Sequence, residues 1–270
     1  MSLNWPRISI ITPSFNQAAF LERTLRSVLD QGYPNLEYIV VDGGSTDGSV
    51  DIIKRYASHL AYWVSEPDRG QSHAINKGLQ RATGEWVGWQ NSDDPYLPGS
   101  FARVAEAARK NPQAGLIIGD MQLIAADDGV IRDLRYVRPT YRALLAEGMV
   151  LANQASFWRR DLHTRIGWLD ESLHYCFDYE WFLRVLQTGC RAVHIPEILG
   201  ALRYHADTKT SRHQHLFNVE YQNILLGRAL PPWKKNLYRV RRLLLILADG
   251  HYRYVLRGVG QRVLTKKARP

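Results

Sequence analysis

The stretch Gly84-Glu85-Trp86-Val87-Gly88-Trp89-Gln90-Asn91-Ser92-Asp93-Asp94 decides how the chain reads. Residues 86–89 form a short apolar run, as a strand buried on both faces requires, and the run soon gives way to two adjacent carboxylates. Neighbours on an extended strand point to opposite faces, but past its end the chain can turn both toward one spot. In open α/β sheets the ligand crevice lies beyond the carboxyl ends of the strands, where Asp93 and Asp94 would sit. Two acids there repel each other unless a cation joins them, and hard oxygen ligands suit Mg2+ or Mn2+. The same Asp-Asp-Pro also suits a plain turn into a helix near Pro98, and this stretch alone leaves both readings open.

Upstream, residues 7–12 read as a first strand turning at Pro13-Ser14-Phe15-Asn16, followed by a helix with Leu21, Leu25, Val28 and Leu29 on one face. Residues 36–41 read as a second strand closing on Asp42-Gly43-Gly44-Ser45-Thr46-Asp47-Gly48, with a helix running to about 58. A third strand, 61–65, ends at Glu66-Pro67-Asp68-Arg69-Gly70, and the next helix carries Ala74, Ile75, Gly78 and Leu79. Strands alternating with helices at this spacing predict a parallel sheet with right-handed crossovers. Four polar or flexible strand ends in register predict recognition of a polar ligand at one sheet edge, where Gly43, Gly44 and Gly70 allow close backbone approach.

Downstream the pattern changes. A helix over 99–110 precedes shorter strands at 115–119, 122–126 and 130–136, the last two joined by a turn at Asp127-Asp128-Gly129. Helical spacing recurs at 141–147, 160–167 and 178–189, strands at 191–195 and 198–204 flank Pro196, and the chain reads as helical from 212.

No Gly-x-x-x-x-Gly-Lys-Ser/Thr run exists, so a P-loop is excluded, and Gly43, Gly44 and Gly48 lack dinucleotide spacing. A nucleotide diphosphate would need another cation, which a divalent ion on Asp94 supplies. Cys176 and Cys190 have no metal-ligand spacing, which fits a reducing cytosol. The first apolar run, 8–11, is too short for a secretory signal, and the late run 243–248 is far short of the roughly 20 residues that span a bilayer.

The net charge is +9, yet residues 231–270 hold 11 of the 35 Lys and Arg and one of the 26 acids. The basic character therefore belongs to the tail. There Leu237, Val240, Leu243, Leu244 and Leu247 mix with Lys234, Lys235, Arg239, Arg241 and Arg242. Such a stretch can lie on an anionic membrane surface, or pack on the domain with a solvated basic face. Nucleic acid is disfavoured, because the remainder is slightly acidic.

Together Thr12-Pro13-Ser14-Phe15-Asn16, the 42–48 loop, Asn76-Lys77-Gly78, Ala82-Thr83-Gly84-Glu85 and Ser92-Asp93-Asp94 resemble the family-two inverting glycosyltransferases of GT-A fold, over roughly residues 7–100. The resemblance implies that Thr12, Pro13 and Asp42 cradle the base of a nucleotide sugar, usually uridine. Ser14, Asn16, Gly43, Gly44, Ser45, Arg69, Gly70, Asn76 and Lys77 would complete the nucleotide site, with Asp93 on the ribose and Asp94 on the metal. Phe177-Asp178 stands where the family has Glu-Asp, which implies Asp178 as the catalytic base; Glu180 is the alternative, and Asp178 also suits a simple N-cap. Arg203-Tyr204-His205 with Lys209-Thr210-Ser211 resembles a later family segment. His205 is there a second metal or diphosphate ligand, or a surface histidine. His73 stands where many relatives have Asp, and Gln154 and Trp181 are expected on the acceptor side.

The expected architecture is a GT-A type, Rossmann-like α/β domain with a mixed, mainly parallel sheet flanked by helices over 1–213. Its halves, 1–100 and 101–213, serve nucleotide sugar and acceptor, and a basic helical extension follows over 214–270. The expected activity is Mn2+- or Mg2+-dependent inverting transfer to a glycan or lipid-linked acceptor, in polysaccharide or glycolipid assembly. The expected place is the cytoplasm, peripheral on the inner face of the membrane. A nucleotidyltransferase would need a cation clamping a triphosphate near the first loop, and Pro13-Ser14-Phe15-Asn16 offers none. A non-catalytic nucleotide-sugar-binding or scaffold module would need no carboxylate at 178.

Overall fold

The computed structural model describes residues 5–205, 214–252, 254 and 255. In chain order the elements are β1 (Ile8–Ser14), α1 (Ala18–Leu29), β2 (Leu36–Asp42), α2 (Ser49–Tyr56), β3 (Tyr62–Ser65), α3 (Gln71–Arg81), β4 (Trp86–Trp89) and α4 (Ser100–Lys110). Then come β5 (Leu116–Ala125), β6 (Val130–Leu134), α5 (Tyr141–Glu147), β7 (Ser156–Arg159), α6 (Leu162–Ile166), α7 (Phe177–Gln187), β8 (Ala192–Tyr204), α8 (Gln214–Leu225) and α9 (Pro232–Ala248).

The sheet runs β3-β2-β1-β4-β7-β5-β6, with β8 paired to β5. β1, β2, β3 and β4 are mutually parallel, β7 is antiparallel to both β4 and β5, and β8 is parallel to β5. Every residue of β1 and of β4 is buried, which is what central strands covered on both faces require. Alternation along the strands feeds two cores. Ile11, Val87 and Trp89 face α3, α5 and α7, whereas Ile10 and Trp86 face α1, α2 and α4. Gly78 lets α3 lie directly on β1: a Cβ there would come within 2.5 Å of Ile11 Cγ2.

Three sequence expectations change. The strands at 115–119 and 122–126 are one continuous β5, and those at 191–195 and 198–204 are one β8. Pro196 survives inside β8 because the register jumps there: Gly119 pairs with Ile195 and Asp120 with Ile198, leaving Pro196 and Glu197 out of the ladder. Strand β7 had no signal of its own; its four residues, Ser-Phe-Trp-Arg, are too short to show a period.

The helices after 213 do not stand apart as an extension. Leu225 of α8 is buried in the α3–α5–α7 core. On α9, Arg242 Nε pairs with the buried Glu147 of α5 at 2.8 Å. No described helix is long and apolar enough to cross a membrane. Lys209, Thr210, Ser211 and the tail beyond 255 lie outside the described residues.

Candidate active site at the strand ends

The order β2-β1-β4 places the carboxyl ends of β1 and β4 side by side at the point where the sheet's winding reverses, where α/β folds form their crevice. A cavity of about 870 Å3 opens there. The loops after β1 to β4 line it with Ser14, Gly43, Asp68 and Asp94, and the second half of the chain adds Gln154 and Asp178. Residues from before and after position 100 thus share one enclosure.

Asp94 is wholly buried. Its Oδ1 accepts the Arg203 backbone N–H at 2.8 Å. Its Oδ2 accepts from Asn91 Nδ2 at 2.9 Å and Gln154 Nε2 at 2.8 Å. Three N–H donors suit an ionised carboxylate, which can only accept. Yet burial first, and then the Asp93 charge, push the Asp94 carboxyl well above the usual carboxylate range. A site shaped for the anion but unable to hold it alone fits a divalent cation, and one or two carboxylates are what Mg2+ or Mn2+ takes when substrate phosphates complete its shell. Among the described residues no cluster of three His, Cys, Asp or Glu side chains forms a self-sufficient metal cage.

His205, the expected second ligand, is not a surface histidine: its side chain is 7% exposed, Nε2 lies 3.0 Å from Asp93 Oδ2, and its ring packs on Phe20. It does not line the cavity itself. Arg203, to which the sequence assigned no separate role, is 1% exposed. Its Nε donates to the Asp93 carbonyl at 2.7 Å, and its other nitrogens reach the Ala125 and Ala126 carbonyls and Asp128.

The expected nucleotide residues divide. Pro13, Ser14, Gly43, Gly70 and Asp93 line the cavity. The Ser14 hydroxyl is buried and has no hydrogen-bond partner among the described residues. A buried hydroxyl left unpaired is costly, so Ser14 is suited to meet a ligand. A Cβ on Gly43 would fall 2.5 Å from Asp68 Oδ2 and 3.3 Å from the Phe15 ring, so only glycine keeps that wall open. Asp42, Thr12, Asn16, Gly44 and Ser45 stand off the lining and build the loops. Asp42 Oδ2 accepts from Gly44 N, Ser45 N and Ser65 Oγ, and Oδ1 from Ser45 Oγ. The Thr12 and Tyr38 hydroxyls bond at 2.9 Å. Asn16 ties the first loop to the second, its N–H to Ser45 Oγ and its Oδ1 to Thr46 N.

Arg69, Asn76 and Lys77 turn elsewhere. Arg69 pairs with Glu171, Lys77 with Glu66, and the buried Asn76 bonds Leu169 N and O and Glu171. They brace the 169–171 segment and the edge of α3, and none of the three lines the cavity. His73 Nδ1 accepts the Arg69 N–H at 3.2 Å, so it too serves this loop.

On the other wall, Asp178 lines the cavity and Glu180 does not. Cys176 is the N-cap of α7, so Asp178 sits one residue inside the helix rather than capping it. The N-terminal end of a helix favours an ionised carboxylate. Glu180 is held from both oxygens by Arg184 Nε and Nη2 at 2.7 and 2.8 Å. Trp181 corrects an expectation: it is fully buried, its ring stacked on His163 at 4.4 Å, and it cannot stack on an acceptor sugar. His163 in turn accepts from Trp158 Nε1, and its other nitrogen bonds the Gly167 carbonyl. Asp68, Gln71 and His174 line the cavity without having been singled out, as do the apolar Met121, Tyr136 and Met149. Asp68 stood in a quoted loop and could have been found there; the apolar three carried only a core signal.

Residues 9–160 match the pattern described as glycosyl transferase family 2. An uncharacterized glycosyltransferase of Mycobacterium tuberculosis is 35% identical over 182 residues, covering 66% of this chain and 68% of that protein. The putative teichuronic acid biosynthesis glycosyltransferase TuaG of Bacillus subtilis is 43% identical over 99 residues, 34% of this chain and 38% of TuaG. Among solved structures, S. aureus TarS 1-349 in complex with UDP-GlcNAc superposes with a TM-score of 0.67 at 19% identity, covering 86% of this chain and 70% of that one. The mannosyltransferase PcManGT of Pyrobaculum calidifontis, in complex with GDP-Man and Mn2+, gives a TM-score of 0.61 at 23% identity, over 96% and 80% of the two chains. At those identities the structural likeness is one of fold.

Proposed function

The chain belongs to glycosyl transferase family 2, and from that premise we propose that it moves a sugar from a nucleoside diphosphate donor, of uridine type, to an acceptor hydroxyl with inversion. The observation that carries this reading is the shared cavity: Asp94 at the end of β4 and Asp178 at the start of α7 both line it. In this reading Asp178 takes the acceptor proton as the new bond forms at the anomeric carbon, opposite the leaving diphosphate. A base needs a fixed position more than an unusual acidity, and the buried Phe182, Val185 and Leu186 anchor its helix.

Pro13, Ser14, Gly43 and Asp68 would receive the nucleoside, the Ser14 hydroxyl gaining a partner that no described residue supplies. Asp94 would hold Mn2+ or Mg2+, with Asn91, Gln154 and Arg203 fixing its orientation. A cation held there would neutralise charge growing on the leaving diphosphate. His205 would act through Asp93 rather than on the metal.

The acceptor is a glycan or lipid-linked molecule in polysaccharide or glycolipid assembly, a reading supported by the biosynthetic name of TuaG. The proposed setting is the cytoplasmic face of an anionic membrane. In support, α9 turns its apolar side outward: Trp233, Leu237, Val240, Leu244 and Leu247 are exposed at successive turns, with Lys234, Arg239 and Arg241 beside them.

The test is calorimetry of UDP and GDP with Mn2+ and with chelator, on wild type and Asp94→Ala, followed by NMR of the anomeric configuration of the product. Metal-dependent UDP binding lost in Asp94→Ala, and an inverted product, are expected. Equal affinity with and without metal, or a retained configuration, would refute the corresponding part.

A further inference from the structure

The segment leading into α7, residues 174–176, is held by a residue from beyond position 213. Three of its N–H groups meet one carboxylate from α8. Glu220 Oε1 accepts the His174 N–H at 2.8 Å, and Oε2 accepts the Tyr175 N–H at 2.8 Å and the Cys176 N–H at 2.9 Å. Cys176 is the N-cap of the helix that carries Asp178, and His174, Tyr175, Phe177 and Asp178 all line the cavity. Successive N–H groups converging on one anion form a nest, and charge-assisted bonds of this kind are stronger than neutral ones.

Glu220 is itself fixed. On α8 its neighbours Phe217 and Tyr221 stack at 6.1 Å, Tyr221 packs on Tyr179 of α7 at 5.0 Å, and Leu225 is buried in the core. The Cys176 thiol adds a contact to the Phe217 carbonyl at 3.6 Å. Burial, and then the charges of Asp178 and Glu220, push that thiol up to about 12, which fits two carboxylates standing near one sulfur. Every cavity residue named above precedes the 213/214 boundary; Glu220, which does not line the cavity, lies beyond it, and beyond the 9–160 span that matches the family.

We propose that Glu220 is a positioning residue for transfer: it sets the entry of α7, and thereby the location of Asp178, without touching donor or acceptor. The inference rests on the reading of Asp178 as base. It assigns α8 to the active site, so the helices after 213 are part of the catalytic unit. Glutamate suits the task because two oxygens on a three-bond stem can reach three amides, whereas Gln offers one acceptor oxygen and brings an N–H pair against donors.

The test uses the full chain with Glu220→Gln, Asp178→Asn and the double variant. Turnover is read with the nucleotide sugar that a donor panel selects, and UDP with Mn2+ serves as the binding probe. Glu220→Gln should lower kcat by about 10- to 100-fold, the scale of an ångström-sized misplacement, with UDP affinity unchanged. In the Asp178→Asn background it should cost nothing further, because the group it positions is gone. Amide hydrogen exchange should quicken at 174–176 while 182–186 stays protected. Additive losses, a parallel fall in UDP affinity, or unchanged protection at 174–176 would overturn the proposal. A wild-type rate in Asp178→Asn alone would instead sink the base assignment, and is seen before Glu220 is altered.

Discussion

The Arg203 backbone N–H donates to Asp94 Oδ1 at 2.8 Å across 109 positions of sequence. The same residue's guanidinium holds the Asp93 carbonyl and reaches Asp128 at 2.6 Å, so one buried arginine fixes both acids of the strand end from β8. Arg203→Ala would take the guanidinium donor from the Asp93 carbonyl, remove one of two donors from each of the Ala125 and Ala126 carbonyls, and leave Asp128 with Arg23 alone. Unfolding in urea should show a loss of about 3 kcal/mol, and metal-dependent UDP binding should disappear. Arg203→Lys keeps the charge but not the fork, so it should recover part of the stability and little of the binding.

Gly43→Ala tests the nucleoside wall separately from folding. The added methyl meets the end of the Asp68 side chain, which can move, so melting should change little. The methyl and the displaced carboxylate then intrude on the cavity, and UDP affinity measured by calorimetry should fall by about tenfold or more. An unchanged affinity would place the nucleoside elsewhere.

His163 makes stability depend on acid. Burial, opposed by the Gly167 hydrogen bond and assisted by the Arg184 and Arg160 charges, lowers its pKa from 6.5 to about 4. Between those values the unfolded chain binds a proton that the folded chain refuses. Stability from this group is therefore full above 6.5 and declines as pH falls, by about 2 kcal/mol at pH 5. Urea unfolding at pH 7 and 5 should show that slope in wild type and a flatter one in His163→Gln. Parallel slopes would mean the imidazole accepts its proton in place.

The outward stripe of α9 gives the membrane reading a sharp test. Leu237→Gln with Leu244→Gln should abolish sedimentation with anionic liposomes while leaving the melting temperature unchanged, since both side chains face away from the core. Binding by wild type should weaken as salt rises. Retained sedimentation in the double variant would remove the stripe from the interface.

Much of the strand-end crevice was legible in the sequence. Strand ends announced themselves because β1 and β4 are buried on both faces and end in polar loops, and the Asp93-Asp94 pair stood out as unusual chemistry after an apolar run. What stayed hidden depends on partners far away in the chain. Trp181 reads as an acceptor-side aromatic until His163 is seen against it, and Lys77 reads as a nucleotide-site residue until Glu66 is seen beside it. Arg203 and Glu220 act through backbone groups of other elements, and no local pattern encodes a backbone N–H as a partner. The split at 213 followed the change from strands to a helical reading, with the basic charge beginning only at 231, and neither change reveals that the buried Leu225 and the Arg242–Glu147 pair hold the last helices to the core.

The central claim is that Asp178 is the base, and single-turnover transfer by Asp178→Asn tests it most directly, with Glu180→Gln as control. Asn keeps the size and place of the side chain on α7 and removes only the proton acceptor. Transfer should fall by about 10²- to 10⁴-fold with UDP affinity and melting temperature nearly unchanged, while Glu180→Gln, whose carboxylate is clamped by Arg184, should transfer close to the wild-type rate. A wild-type rate in Asp178→Asn together with an inactive Glu180→Gln would contradict the account and move the base two residues along the helix.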